Sequence, residues 1–241
     1  TRWKHQPASQ VQKTLLFALG LSVSAGVLIN FTYDAATYMA ALGLVLSAWI
    51  LITTILEVVQ RVSAMDTSLS AFERLRKLTP SHWGMILGHL GFAVTLIGIT
   101  LVSNYEVERD VRMMPGESVS LSGYEFAFRK VEKRNGPNYT ADVGIFDVYE
   151  SGDKLVHLEP EKRLYLVQRM PMTEAGIYST IFRDLFIAMG EPLDDGAWAI
   201  RVYIKPFVTW IWAGAVIMAI GGICSMSDKR YRMAKVAKVR A

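Results

Sequence analysis

Four histidines and one cysteine are the side chains of this 241-residue chain best suited to ligating a metal: His5, His82, His89, His157 and Cys224. His89 stands apart, because it lies about six residues inside an uncharged apolar run that begins at Trp83, roughly 9 Å along a helix axis at 1.5 Å per residue. Ionisable groups at membrane depth are costly and usually functional. Gly84, Gly88 and Gly91 surround His89 and clear space in which a flat cofactor or a second helix can approach closely. The residues alone leave two readings open. In one, the neutral imidazole offers a nitrogen to haem iron; in the other, it packs between helices, hydrogen-bonded to a neighbour.

The remaining candidates weigh less. His82 lies two turns before His89 on about the same helix face, so the two cannot grip opposite sides of one haem; an interfacial role is expected for it. His5 sits in a basic flank and is expected to be solvated, and His157 lies in a polar segment with no metal-like partner nearby in sequence. A single cysteine excludes an intrachain disulfide, and Cys224, at the end of an apolar run, reads as a packing residue. Glycine-rich phosphate loops, CxxC and HExxH are all missing from the sequence, which singles out no catalytic residue.

Stretches of 18 or more residues without charge must position these groups. Their length matches a hydrocarbon core of roughly 30 Å, and soluble proteins seldom need helices that are apolar on every side. The chain is 51% apolar, divided sharply between such runs and a polar segment. The expected class is a membrane α-helical protein with four transmembrane helices and an inserted small antiparallel β domain, a barrel or sandwich. Two spans occupy residues 1–60, at about Thr14–Phe31 and Tyr38–Val59. The third covers 83–103 and the fourth lies within 206–227. Trp83, Trp210 and Trp212 fall at segment ends, where amphipathic rings prefer the headgroup level. The chain opens on Thr1 rather than methionine, as a processed chain or a part of something longer would.

Thirteen of the 26 basic residues flank these runs: in the amino-terminal flank, in the 61–82 loop and in the 228–241 tail. With four spans all three lie on one side, and the positive-inside rule makes that side, with both termini, cytoplasmic. The formal charge of +4 is thereby a topology signal and not a nucleic-acid footprint. The 104–205 segment is net acidic and would be periplasmic. Tyr124, Phe126 and Phe128 alternate with Glu125, Ala127 and Arg129 at the period of a strand. Arg134-Asn-Gly-Pro137 predicts a turn before a strand at Tyr139–Tyr149, with further strands at Lys154–Leu158, Arg163–Gln168 and Ala197–Ile204. Phe182–Met189 reads as one short helix.

The succession of short motifs resembles a known family. It includes Trp83-Gly-Met-Ile-Leu-Gly-His89-Leu-Gly-Phe-Ala, Asn104-Tyr-Glu-Val-Glu-Arg-Asp-Val-Arg-Met113 and Gly136-Pro-Asn-Tyr139. Glu161-Lys-Arg163, Met172-Thr-Glu-Ala175, Asp184-Leu-Phe-Ile-Ala-Met-Gly-Glu191 and the Gly196–Gly214 block follow in order. From about Trp83 to Arg232 this is similar to the carboxy-terminal part of the CcmF family of cytochrome c-type biogenesis proteins, subunits of the bacterial cytochrome c haem lyase.

That resemblance implies a multi-pass inner-membrane protein that takes part in attaching haem to exported apocytochrome c by thioether bonds. It also implies a haem b among the helices, with His89 as an axial ligand and Gly88 and Gly91 giving close packing beside it. Implied partners are a haem chaperone, apocytochrome c and other haem-lyase subunits, with membrane lipid around the spans and no nucleic acid. Family members are usually far longer, with a tryptophan-rich haem-handling segment and three further histidines upstream. The second haem ligand is therefore expected on a separate chain or on a missing amino-terminal part, and this chain alone is not expected to carry out ligation. The rival expectation is a membrane-anchored assembly platform, or an envelope accessory protein, without haem.

Overall fold

A computed structural model describes residues 8–31, 37–66 and 68–228. His5, Asp34 and the basic residues of the tail lie outside the described residues. The chain divides into two compact units, one helical and one of strands, with the boundaries near residues 104 and 210.

In the helical unit, α1 spans Ala8–Phe31, α2 Tyr38–Ser63, α4 Pro80–Tyr105 and α5 Val208–Met226, with a short α3 at Ala71–Arg76. Three of these, α2, α4 and α5, are long and apolar enough to cross a membrane, while the apolar part of α1 is Gln12–Leu28. The four expected helices thus comprise three of full spanning length and a fourth whose described apolar part is shorter. Side chains such as Leu42, Phe92, Val216 and Ile223 are exposed on these helices. Bare apolar surface of this kind is stable against hydrocarbon and costly against water.

Polar residues set the helix ends. Thr37 caps α2 by accepting a hydrogen bond from the Ala40 amide. Ser70 and Glu73 form a reciprocal capping box on α3, a helix inside the 61–82 loop. An Asp228 carboxylate oxygen accepts the Ser81 amide at 3.2 Å in the first turn of α4, where unpaired amides favour an anion.

Glycines set the spacing between α4 and α5. A Cβ on Gly84 would lie 2.5 Å from the Gly221 carbonyl oxygen, and one on Gly91 would lie 2.6 Å from that of Gly214. Small residues at this seam let the two backbones touch, which supplies dispersion where the hydrophobic effect is absent. Four pairs zip α2 antiparallel to α4. Thr37 meets Asn104 at one end and Gly43 lies against Thr100. Thr54 then meets His89, and Glu57 meets His82 at the other end.

The strand unit is a sandwich of two antiparallel sheets. One has the order β1 (Val107–Met113), β10 (Trp198–Pro206), β9 (Arg183–Pro192), β8 (Gly176–Ser179). The other has β2 (Ser118–Leu121), β3 (Tyr124–Asn135), β4 (Tyr139–Glu150), β6 (Glu161–Tyr165) and β7 (Pro171–Glu174), with β5 (Asp153–Leu158) also paired to β4. Two-residue turns join β2 to β3 and β4 to β5. Ser122-Gly123 and Ser151-Gly152 have all four φ positive, the combination that matches the twist of a hairpin. Phe126, Phe128, Phe146, Leu185, Ile187, Met189, Ile200 and Val202 are fully buried. The Phe128 and Phe146 rings stack with centroids 4.5 Å apart.

One element differs in kind from the sequence expectation. Phe182–Met189 is not a helix, and residues 183–192 form β9, a central strand paired to β10 and β8. Leu185, Ile187 and Met189 point into the core, while Phe186 packs edge-on against Tyr203 on the opposite face. The outward positions Phe186 and Ala188 are half-buried and themselves apolar, so the segment reads as a continuous apolar run, and over so short a length such a run cannot be told from a buried helix.

Candidate haem site

His89 sits in the first half of α4 and is exposed within this chain although the surrounding helix is apolar. It lines a cavity of about 390 Å³ with Thr14 and Leu15 of α1, Thr53, Thr54, Glu57 and Arg61 of α2, and Met85 of α4. The His89 Nδ1 lies 3.2 Å from Thr54 Oγ1. Thr54 itself is buried and donates its hydroxyl hydrogen to the Ile50 carbonyl at 2.7 Å, one turn back along α2.

The three glycines around His89 separate into two roles. Gly84 and Gly91 are closed against α5, so their missing side chains serve helix packing. A Cβ on Gly88 would meet nothing within 4 Å, so the side next to His89 is open.

His82, two turns earlier on α4, is engaged otherwise. It is buried, and its Nε2 lies 3.0 Å from Glu57 Oε2. The other Glu57 oxygen accepts from Arg61 Nε at 3.0 Å. A carboxylate and two potential cations thus share one end of the helix pair, where neutralisation lowers the cost of burying charge. Sequence reasoning expects His82 at an interface and does not anticipate this partner. The spacing from Glu57 to Arg61 is visible as an i,i+4 pair, but the contact between helices is not.

Among the described residues no three His, Cys, Asp or Glu side chains converge as a metal site. The donor set present is a single imidazole with one nitrogen engaged by a hydroxyl, beside a cavity and an open glycine. It fits one axial position on a flat macrocycle and no closed protein-ligated metal centre. His157, in the sandwich, belongs to a surface ion cluster. Its Nδ1 lies 2.9 Å from Asp147 Oδ1, which Lys154 also reaches at 2.7 Å, while Arg129 takes Asp147 Oδ2 at 3.0 Å. A second cavity of about 590 Å³ lies on the sandwich, lined in part by Asp110, Phe186, Arg201 and Tyr203. Arg201 is already held there by both oxygens of Asp110.

The profile described as the CcmF C-terminal beta-sandwich matches residues 104–206, the strand unit almost end to end. The chain is related to the carboxy-terminal part of CcmF. It is 52% identical over 165 residues to the cytochrome c-type biogenesis protein CcmF of Pseudomonas aeruginosa, an alignment covering 68% of this chain and 25% of that protein. It is 50% identical over 163 residues to CcmF of Haemophilus influenzae, with 68% and 25% covered. A solved structure titled cytochrome c heme lyase CcmF superposes with a TM-score of 0.71 at 17% identity, covering 88% of this chain and 34% of that one. At that identity the structure speaks for the fold: apolar helices carrying a β sandwich. The chain therefore spans about a quarter of the length of these CcmF relatives.

Proposed function

We propose that this chain is the carboxy-terminal component of a cytochrome c haem lyase, and that it supplies one axial ligand, His89, to a haem b held among the membrane helices. The observation that carries the reading is the imidazole of His89, open on one side of an apolar span and hydrogen-bonded at Nδ1 from the other. The names of the relatives support the setting. Gly88 and Gly91 contribute differently, the first by leaving room beside the ring and the second by closing α4 onto α5.

A haem iron held at this position would supply one-electron chemistry. The chain's own residues orient and enclose: His89 Nε2 would be the nitrogen offered to the iron, Thr54 holds the ring from behind, and the Glu57–His82 pair fixes α2 against α4 close by. His89 is the one imidazole among the described residues that line this cavity, and a second ligand would be supplied by the remainder of the lyase. The sandwich works on the periplasmic side, presenting haem-handling partners and apocytochrome c to one another for thioether formation. Both chain ends and the 61–82 loop then face the cytoplasm, following their basic residues.

The test is the visible spectrum of the lyase purified from membranes with all its subunits. His89→Ala should abolish the reduced b-type α band and lower haem content, while the protein level and the partner subunits stay. An unchanged spectrum in that variant refutes the ligand assignment.

A further inference from the structure

We propose that Thr54 is a positioning residue that holds His89 in the tautomer protonated at Nδ1, so that Nε2 is the nitrogen offered to iron. The inference rests on the reading of His89 as a haem ligand, and proton counting on one hydroxyl carries it. A threonine hydroxyl has one hydrogen to donate and lone pairs to accept with. The Thr54 Oγ1 has two neighbours, the Ile50 carbonyl at 2.7 Å and His89 Nδ1 at 3.2 Å. A carbonyl oxygen can only accept, and it is the nearer, so the hydroxyl hydrogen goes to Ile50. Toward His89 the same oxygen is left with lone pairs alone, and it bonds only if Nδ1 carries the proton.

The tautomer then follows. A neutral imidazole protonated at Nδ1 is bare at Nε2. His89 has no other hydrogen-bond partner among the described residues. Thr54 is 8% exposed, which limits the access of water to its oxygen. The arrangement is that of ligating histidines in general, whose second ring nitrogen donates to a fixed acceptor that sets both tautomer and ring orientation. Here a hydroxyl, itself anchored one turn back on α2, takes the place more often held by a carboxylate or carbonyl.

Two measurements on the purified complex test this, one of which does not depend on haem. Nitrogen-15 NMR of the histidine rings in haem-depleted protein, assigned by difference with His89→Asn, should give His89 a protonated Nδ1 and a bare Nε2. In Thr54→Val, which keeps the volume and removes the acceptor, that preference should be lost, and in Thr54→Ser it should remain. In the haem-loaded complex the midpoint potential should rise in Thr54→Val, because an imidazole without an acceptor donates less electron density to iron. Thr54→Ser should keep the wild-type value. A wild-type His89 protonated at Nε2 overturns the proposal, and so does a Thr54→Val variant with both tautomer and potential unchanged. If instead His89→Ala keeps its haem, the ligand reading itself has failed, and the NMR result still decides the tautomer.

Discussion

The ion cluster on β4 and β5 shows how far single residues can be pressed. Asp147 accepts from Lys154 and His157 across the β4–β5 pair and from Arg129 on β3. These partners, Lys154 foremost, hold its carboxyl well below the usual carboxylate range, against a smaller opposing effect of burial. A carboxylate whose value is depressed on folding stabilises the fold above its unfolded value, near 3.8, and that contribution is lost as pH falls toward the folded value. Acid should therefore loosen the sandwich below about pH 4. In Asp147→Asn the thermal midpoint at neutral pH should drop by a few degrees, and its further decline in acid should be shallower than in the parent. Circular dichroism melts from pH 3 to pH 7 read both effects. Equal acid slopes in the two proteins would remove Asp147 from the account.

Elements are held by packing that the same residue-level reasoning can weigh. Phe128 is fully buried and stacked on Phe146 between the sheets, so Phe128→Ala should cost about 3–5 kcal/mol. Chemical denaturation of the purified protein would show it, and a loss under 1 kcal/mol would mean that the core collapses around the site. In the membrane unit, Gly91→Leu should separate α4 from α5, because its side chain would occupy the space of the Gly214 carbonyl and Met218; Gly88→Ala, facing open space, should be tolerated in folding. Much of this was legible in advance. The alternation at Tyr124–Phe128 gave β3, and the uncharged runs gave the spans. The short edge strands β1, β2, β7 and β8 escaped because four to seven half-exposed residues leave little periodic signal. Residues 183–192 misled because the half-buried outward residues of β9, Phe186 and Ala188, are apolar like the inward ones, so the sequence does not alternate. At the site, the depth of His89 and the glycines beside it could be read from spacing. Thr54 and Glu57 could not, since their partners lie 35 and 25 positions away on another helix, and contact order of that kind is set by helix register alone.

For the molecule as a whole, the division of charge makes the decisive claim. Along the sequence, basic flanks and an acidic insert alternate with the apolar helices, and by the positive-inside rule Lys and Arg retained on the cytoplasmic face would orient such a chain. That assignment puts the β6–β7 hairpin, whose Val167 is 90% exposed, on the far side of the membrane from the 61–82 loop, where Ser68 is exposed. Single cysteines at these two positions, in a Cys224→Ser background, should report opposite sides to a membrane-impermeant maleimide. Val167→Cys should label in intact spheroplasts, while Ser68→Cys should label only after the membrane is opened. The reverse pattern would invert the topology and put the sandwich in the cytoplasm, away from exported apocytochromes. Labelling of both in intact cells would mean that α4, the one helix of spanning length between the two positions, does not separate them, and the assignment of the basic 61–82 loop to the cytoplasm would fall.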